Sequence, residues 1–136
     1  MISISKKAQY GLLALIELGV YFQSRRLQTK VIAQTHQMPH KFLESVLKQL
    51  NKAGIINSFR GTNGGYELAK DPKDIHVLDM MIALEEFNDF DSMKNEPGVD
   101  VFWVQSIENI KKQFDVSLQT LLNKHQRDLK RLTYSI

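Results

Sequence analysis

The sequence predicts a mainly α-helical chain with one small β-hairpin. Three observations lead there. Apolar residues recur at helical spacing over several long stretches, so most of the chain is amphipathic or buried helix. Only Gln37, Met38 and Pro39 separate a short helical segment from the clearest helix in the chain. A glycine-rich tip, Arg60 to Gly65, then lies between two short runs of strand composition.

The first helix is expected from Ser5, a good N-cap, through Tyr10, Leu12, Leu13, Leu15, Ile16, Leu18, Val20, Tyr21 and Phe22. Being apolar on almost every side, it is assigned to the centre of the core. Gln23 to Arg26 forms a polar turn, and a short second helix follows with Thr29 as its cap, Val31, Ile32 and Ala33 facing inward, and its end near His36. The third helix places Phe42, Leu43, Val46, Leu47, Leu50 and Ala53 on one face, with Pro39 in the first-turn position and Gly54 just past the end. Its opposite face presents Lys41, Ser45, Lys48 and Lys52, with His40 and Glu44 beside them. Two helices joined so closely, the second with a basic stripe, match a helix-turn-helix whose second helix enters a major groove. A helical hairpin with a solvated lysine face fits that segment equally well.

The hairpin shifts the balance. Ile55 to Phe59 and Tyr66 to Ala69 flank a tip whose glycines and Asn63 supply positive backbone angles, and Tyr66 and Leu68 alternate with Glu67. No Lys-Ser/Thr pair accompanies these glycines, so a phosphate-binding loop is a weak reading. A hairpin directly after a recognition-type helix is the wing of a winged helix, and Arg60 at its base is placed to reach phosphates or a narrow minor groove.

Charge is segregated along the chain. Residues 1–70 carry ten Lys/Arg against three Glu, a net +7, and residues 71–100 carry two Lys against nine acids, a net −7. Residues 101–136 return to +3. A basic first half suggests a polyanion as partner, an ordinary solvated surface being the alternative.

Composition excludes other classes. With 43% apolar residues the chain is not of disordered type, and without cysteine it forms no disulfide, thiol nucleophile, or cluster held by its own thiolates. The longest nearly apolar run, Ala8 to Phe22, is interrupted by Gln9 and Glu17 and is shorter than the ~20 residues that cross a bilayer. No small-residue cleavage site follows it, so neither a membrane partner nor secretion is expected, and the expected compartment is the cytoplasm. No nucleophile, base and orienting acid form a recognisable set, so catalysis is not expected.

Residues 100–114, with Val101, Phe102, Val104, Ile107, Ile110, Lys111 and Phe114, have the period of another amphipathic helix. Ser117 looks like a fresh N-cap for a last helix with Leu118, Leu121, Leu122, Leu129 and Leu132. Exposed on a monomer, these stripes form a large apolar patch that suits a second copy, with packing back onto the first domain as the alternative.

At this point the chain resembles a family, the bacterial winged-helix regulators that include the iron-sulfur cluster regulator, the nitric-oxide-sensitive repressor and the cysteine-metabolism repressor. The resemblance is strong over about residues 1–87. It rests on Ser5 to Tyr10, Ile32-Ala33, Phe42-Leu43-Glu44, Leu50 to Ile56, and above all Arg60 to Ala69, with Ile75 to Glu85 resembling the family's next short helix. It implies a homodimeric repressor on a palindromic operator, one recognition helix in each of two successive major grooves and the wings in the flanking minor grooves. Residue by residue, it puts Lys41, Phe42 and Glu44 at the DNA, with Glu44 tuning base preference, Arg60 in the wing, and Ser5 and Lys7 at the backbone. Phe42 has a second reading as a core contact.

The expected DNA-binding set is therefore Ser5, Lys7, Lys30, His40, Lys41, Phe42, Glu44, Ser45, Lys48, Arg60, Gly61, Thr62, Asn63 and Gly64. The expected dimerisation set is Phe102, Trp103, Ile107, Ile110 and Phe114, and Trp103 has a second reading as the wall of a ligand pocket. The expected division is a winged helix-turn-helix over 1–87, an acidic loop over 88–99, and dimerisation and C-terminal helices over 100–136.

One departure matters. The family's sensing branch carries three cysteines between the fourth helix and the dimer helix, and here Asn88 to Val99 holds none. Met93 is a poor substitute ligand, and Asp89, Asp91, Glu96 and Asp100 read as a solvated loop or, alternatively, a hard-cation site. His36, His40, His76 and His125 lack the paired spacing of a metal site. No cofactor is expected, and the regulatory partner is an effector protein or a small ligand. Two rival readings are a winged-helix adaptor for a partner protein and a small-molecule-binding protein.

Overall fold

The computed structural model describes residues 3–85 and 97–134. Its elements run α1 (Lys6–Val20), α2 (Thr29–His36), α3 (His40–Lys52), β1 (Ile56–Phe59), β2 (Gly65–Leu68), a 3-10 turn (Pro72–Asp74), α4 (Val77–Leu84), α5 (Pro97–Phe114) and α6 (Leu118–Tyr134). The order is that of a winged helix-turn-helix followed by two long helices.

α1 is the hub, packed against α2, α3, α4, α6 and β2. Ser5 caps it as expected, its hydroxyl oxygen accepting from the Ala8 N–H at 3.2 Å. The helix stops at Val20, two residues before the sequence suggests, because Gln23 turns into the left-handed region and the chain reverses. Its apolar residues are not all inside either. Ala8, Gly11, Ala14, Leu15 and Leu18 are buried, but Leu13 and Val20 are exposed, since its partners cover one side only.

α2 begins at Thr29, with Gln28 rather than Thr29 in the cap position and no side-chain cap bond. Ile32 and Ala33 face inward, whereas Val31 points to solvent, the helix being too short to bury three successive residues. Gln37 in the left-handed conformation ends it, and Pro39 stands at the N-cap of α3. α3 buries Leu43, Val46, Leu47 and Leu50, one step of the helical period after another, while Ala53 is exposed.

β1 and β2 pair antiparallel with Ile56 opposite Leu68 and Phe59 opposite Gly65. A single residue from the α1–α2 loop adds a third rung: the Leu27 N–H donates to the Tyr66 carbonyl at 3.0 Å, and the Tyr66 N–H returns to Leu27 at 2.8 Å. Gly65 permits this approach. Its φ is +130°, and a Cβ there would lie 2.7 Å from the Leu27 carbonyl oxygen.

α5 starts at Pro97, so the last three residues assigned to the acidic loop are its first turn, where proline is tolerated. Met93, Asp89, Asp91 and Glu96 lie outside the described residues. The first turns of α6 pack back onto the first domain. Leu118 and Leu122 join the core, and α6 rests so closely on α1 that a Cβ at Gly19 would lie 2.8 Å from Leu122. The α5–α6 elbow is fastened to the segment before α4 by main-chain bonds, Val77 N–H to the Val116 carbonyl at 2.8 Å and Leu118 N–H to the Ile75 carbonyl at 2.7 Å. His76 Nδ1 lies 2.6 Å from the Asp115 carboxylate across the same seam.

Candidate nucleic-acid interface

The buried row Leu43, Val46, Leu47 and Leu50 turns the other side of α3 outward. Lys41, Glu44, Ser45 and Lys48 border one shallow depression there. Lys41, Ser45, Lys48 and His40 are exposed. Glu44 sits among them as a brake: its carboxylate pairs with Lys48 at 3.2 Å one turn on and approaches His40 at 3.8 Å one turn back. A carboxylate held there can accept from a cytosine amino group or repel phosphate, and it lowers the positive charge of the helix centre.

The wing tip follows directly on α3 and β1. Arg60, Gly61, Thr62 and Asn63 are exposed, with Gly61 at φ +96°. Gly64, counted from the sequence among the contact residues, is instead buried in the tip, where a Cβ would lie 2.6 Å from the Phe59 carbonyl oxygen and its N–H donates to Gly61 at 2.9 Å. Arg60 forms no ion pair with another described residue. Lys7 and Lys30 are exposed on α1 and α2.

Two residues of the sequence-derived set spend their side chains within the domain. Phe42 is half-buried with its ring edge-on to Tyr10, centroids 5.5 Å apart, so the core reading describes its contact. Ser5 is occupied by the α1 cap and by a hydrogen bond that its hydroxyl donates to Glu85. One residue was missed. Arg26, read as part of a polar turn, lies against the wing with its guanidinium carbon 3.4 Å from the centre of the Phe59 ring.

On α5 no residue is buried, and Val101, Phe102, Trp103, Val104 and Ile110 are exposed, Phe102 by 61%. The Phe102 and Trp103 rings meet edge to face at 5.1 Å. Phe114, by contrast, packs on the chain's own core. Leu129 and Leu132 of α6 are exposed as well.

A three-helix core, a basic helix after a short turn, and a wing beside it define a winged-helix protein of the regulator type. A family model named Rrf2 and described as an iron-dependent transcriptional regulator matches residues 4–133. The chain is 32% identical to the HTH-type transcriptional regulator CymR of Bacillus subtilis over 114 residues, 82% of this chain and 83% of that one. It is 36% identical over 83 residues to the protein rrf2 of Nitratidesulfovibrio vulgaris, a match that spans about half of that relative, 55% of its length. Among solved structures, CymR, the global cysteine regulator of B. subtilis, superposes with a TM-score of 0.78 at 31% identity, covering 91% of this chain and 98% of that one. The T. potens IscR structure gives 0.76 at 30%, covering 91% and 88%. The chain belongs to the Rrf2 family of transcriptional regulators.

The iron in that family description does not fit a thiolate-held site in this member. The chain contains no cysteine, and among the described residues no three His, Asp or Glu side chains gather as a ligand set.

Proposed function

We propose that the protein is a sequence-specific DNA-binding repressor that acts as a homodimer on a palindromic operator in the cytoplasm, without a cysteine-ligated cluster. The observation that carries this reading is the outward-facing set of Lys41, Ser45 and Lys48 on α3, followed in the chain by a hairpin whose tip, Arg60 to Asn63, is likewise exposed. The helix reads base edges, and the wing and Lys7, Lys30 and Lys48 neutralise phosphates. The exposed apolar residues of α5 suit pairing around a two-fold axis, which sets two recognition helices about one helical turn of DNA apart. An effector protein or a small ligand supplies the signal.

The test is binding of the purified protein to fragments of its own genome at two salt concentrations, with enriched sequences read out. Four phosphate contacts per protomer predict a slope of log K against log salt of about −7, so affinity falls about 10⁴-fold between 50 and 200 mM salt. Enrichment of a palindrome supports the reading, and absence of binding at both salts overturns it in favour of an adaptor role. Arg60→Ala weakens operator binding with the dimer intact; unchanged affinity removes Arg60 from the interface.

A further inference from the structure

Arg26 makes three contacts with the wing at once. Its guanidinium carbon stacks 3.4 Å from the centre of the Phe59 ring at the end of β1. Its Nε lies 3.4 Å from the Glu67 carboxylate on β2, and its Nη1 donates to the Asn63 main-chain carbonyl in the tip at 3.3 Å. The next residue, Leu27, is buried and bonded by its main chain to Tyr66 on both sides. One end of the guanidinium clamp is therefore anchored in the core, and the other grips both strands and the tip. Lysine cannot reproduce this, because a planar fork that stacks on a ring and donates in two directions is particular to arginine.

We propose that Arg26 is a wing-positioning residue: it fixes the hairpin against the α1–α2 loop so that Arg60 and Thr62 are presented in one place, and it is not itself a phosphate contact. The inference rests on the DNA-binding reading for its consequence but not for its physics. Each contact is weak where solvent reaches it, since exposed cation–π and ion pairs contribute little singly. Their use lies in acting on three points of one short hairpin. A two-stranded hairpin is only marginally stable alone, so a tie to a third element decides how far its tip wanders. The neighbouring Arg25 lies instead over Tyr21, 4.4 Å from its ring centre.

The test compares the wild type with Arg26→Ala and Arg26→Lys. Hydrogen exchange in the free protein is followed at the Gly64 and Tyr66 amides, which are bonded to Gly61 and Leu27. Operator affinity is measured across a salt series. Both variants are expected to speed exchange at these two amides and to weaken affinity roughly tenfold, with the salt slope unchanged. The lysine variant keeps the charge, so its failure to rescue separates the clamp from simple electrostatics. Unchanged exchange together with a slope shallower by about 0.9 per protomer would identify Arg26 as a phosphate contact and overturn the proposal. Unchanged exchange and affinity in both variants overturn it as well. If the wild type binds no DNA, the regulator reading fails alone and the exchange comparison still decides the clamp. If Arg26→Ala does not fold, the lysine variant carries the exchange comparison and Arg26→Gln the salt slope.

Discussion

The first 85 residues and α5 are built from similar proportions of apolar side chains and use them in opposite ways. α1, α3 and α4 each hide a row of residues against one another, with Leu15, Leu18, Leu43, Leu47, Leu50 and Met80 almost wholly inaccessible. α5, an 18-residue helix, buries none. A helix gains most of its stability in a protein from the face it packs, so the difference teaches that most of the apolar surface of α5, Phe114 apart, is left without a cover by the rest of the described chain. Amphipathic period announces that a face needs covering, but not by what.

The sharpest way to break this contrast is to put charge on α5. Phe102→Asp with Ile110→Asp is expected to cost about 4 kcal/mol or more of association if both side chains are covered in a dimer. Sedimentation at micromolar concentration should then show monomers that keep the thermal unfolding of the winged domain; a persistent dimer would move the interface elsewhere. Within the first region, Leu47→Ala removes a fully buried side chain and is expected to lower unfolding stability by about 3 kcal/mol in a urea titration. A loss below about 1 kcal/mol would mean that the core is not close-packed around α3.

Gly65→Ala meets both an unfavourable φ and the Leu27 carbonyl oxygen, and it is expected to cost about 2 kcal/mol, read as disordering of the wing by amide exchange with the helices intact. Ser5→Ala is the smallest change. It removes the α1 cap and the bond to Glu85, so thermal unfolding should report a loss of about 1 kcal/mol, and operator affinity measured well below that transition should hold.

Features written in neighbouring residues were legible in advance. The apolar row of α3, the glycine tip of the wing, the Ser5 cap and the Ser117 cap, whose hydroxyl accepts from the Thr120 N–H at 3.2 Å, are all local signals. The basic stripe of α3 and Arg60 were legible for the same reason. What could not be read depends on distant partners. Leu118 and Leu122 carry the same period as the exposed leucines of α6, and distant contacts send them inward, Leu122 seated on Gly19 and Leu118 tied by its main chain to Ile75. Val31 has the composition of a core residue, yet it lines an open depression that it shares with the wing tip. Arg26 looked like any turn arginine, because Phe59, Asn63 and Glu67 lie more than thirty residues further along the chain.

The seam between the α5–α6 elbow and the segment before α4 has one further consequence. Two of its ties, Val77 to Val116 and Leu118 to Ile75, are main-chain bonds. Peptide groups are the same whatever side chain they carry, so substitutions at the outward positions of α5 leave the angle at which the elbow meets the first domain untouched. In the proposed dimer this separates gearing from grip: the outer face of α5 can be rewritten for a new partner or signal while the pitch at which α3 would meet DNA stays set.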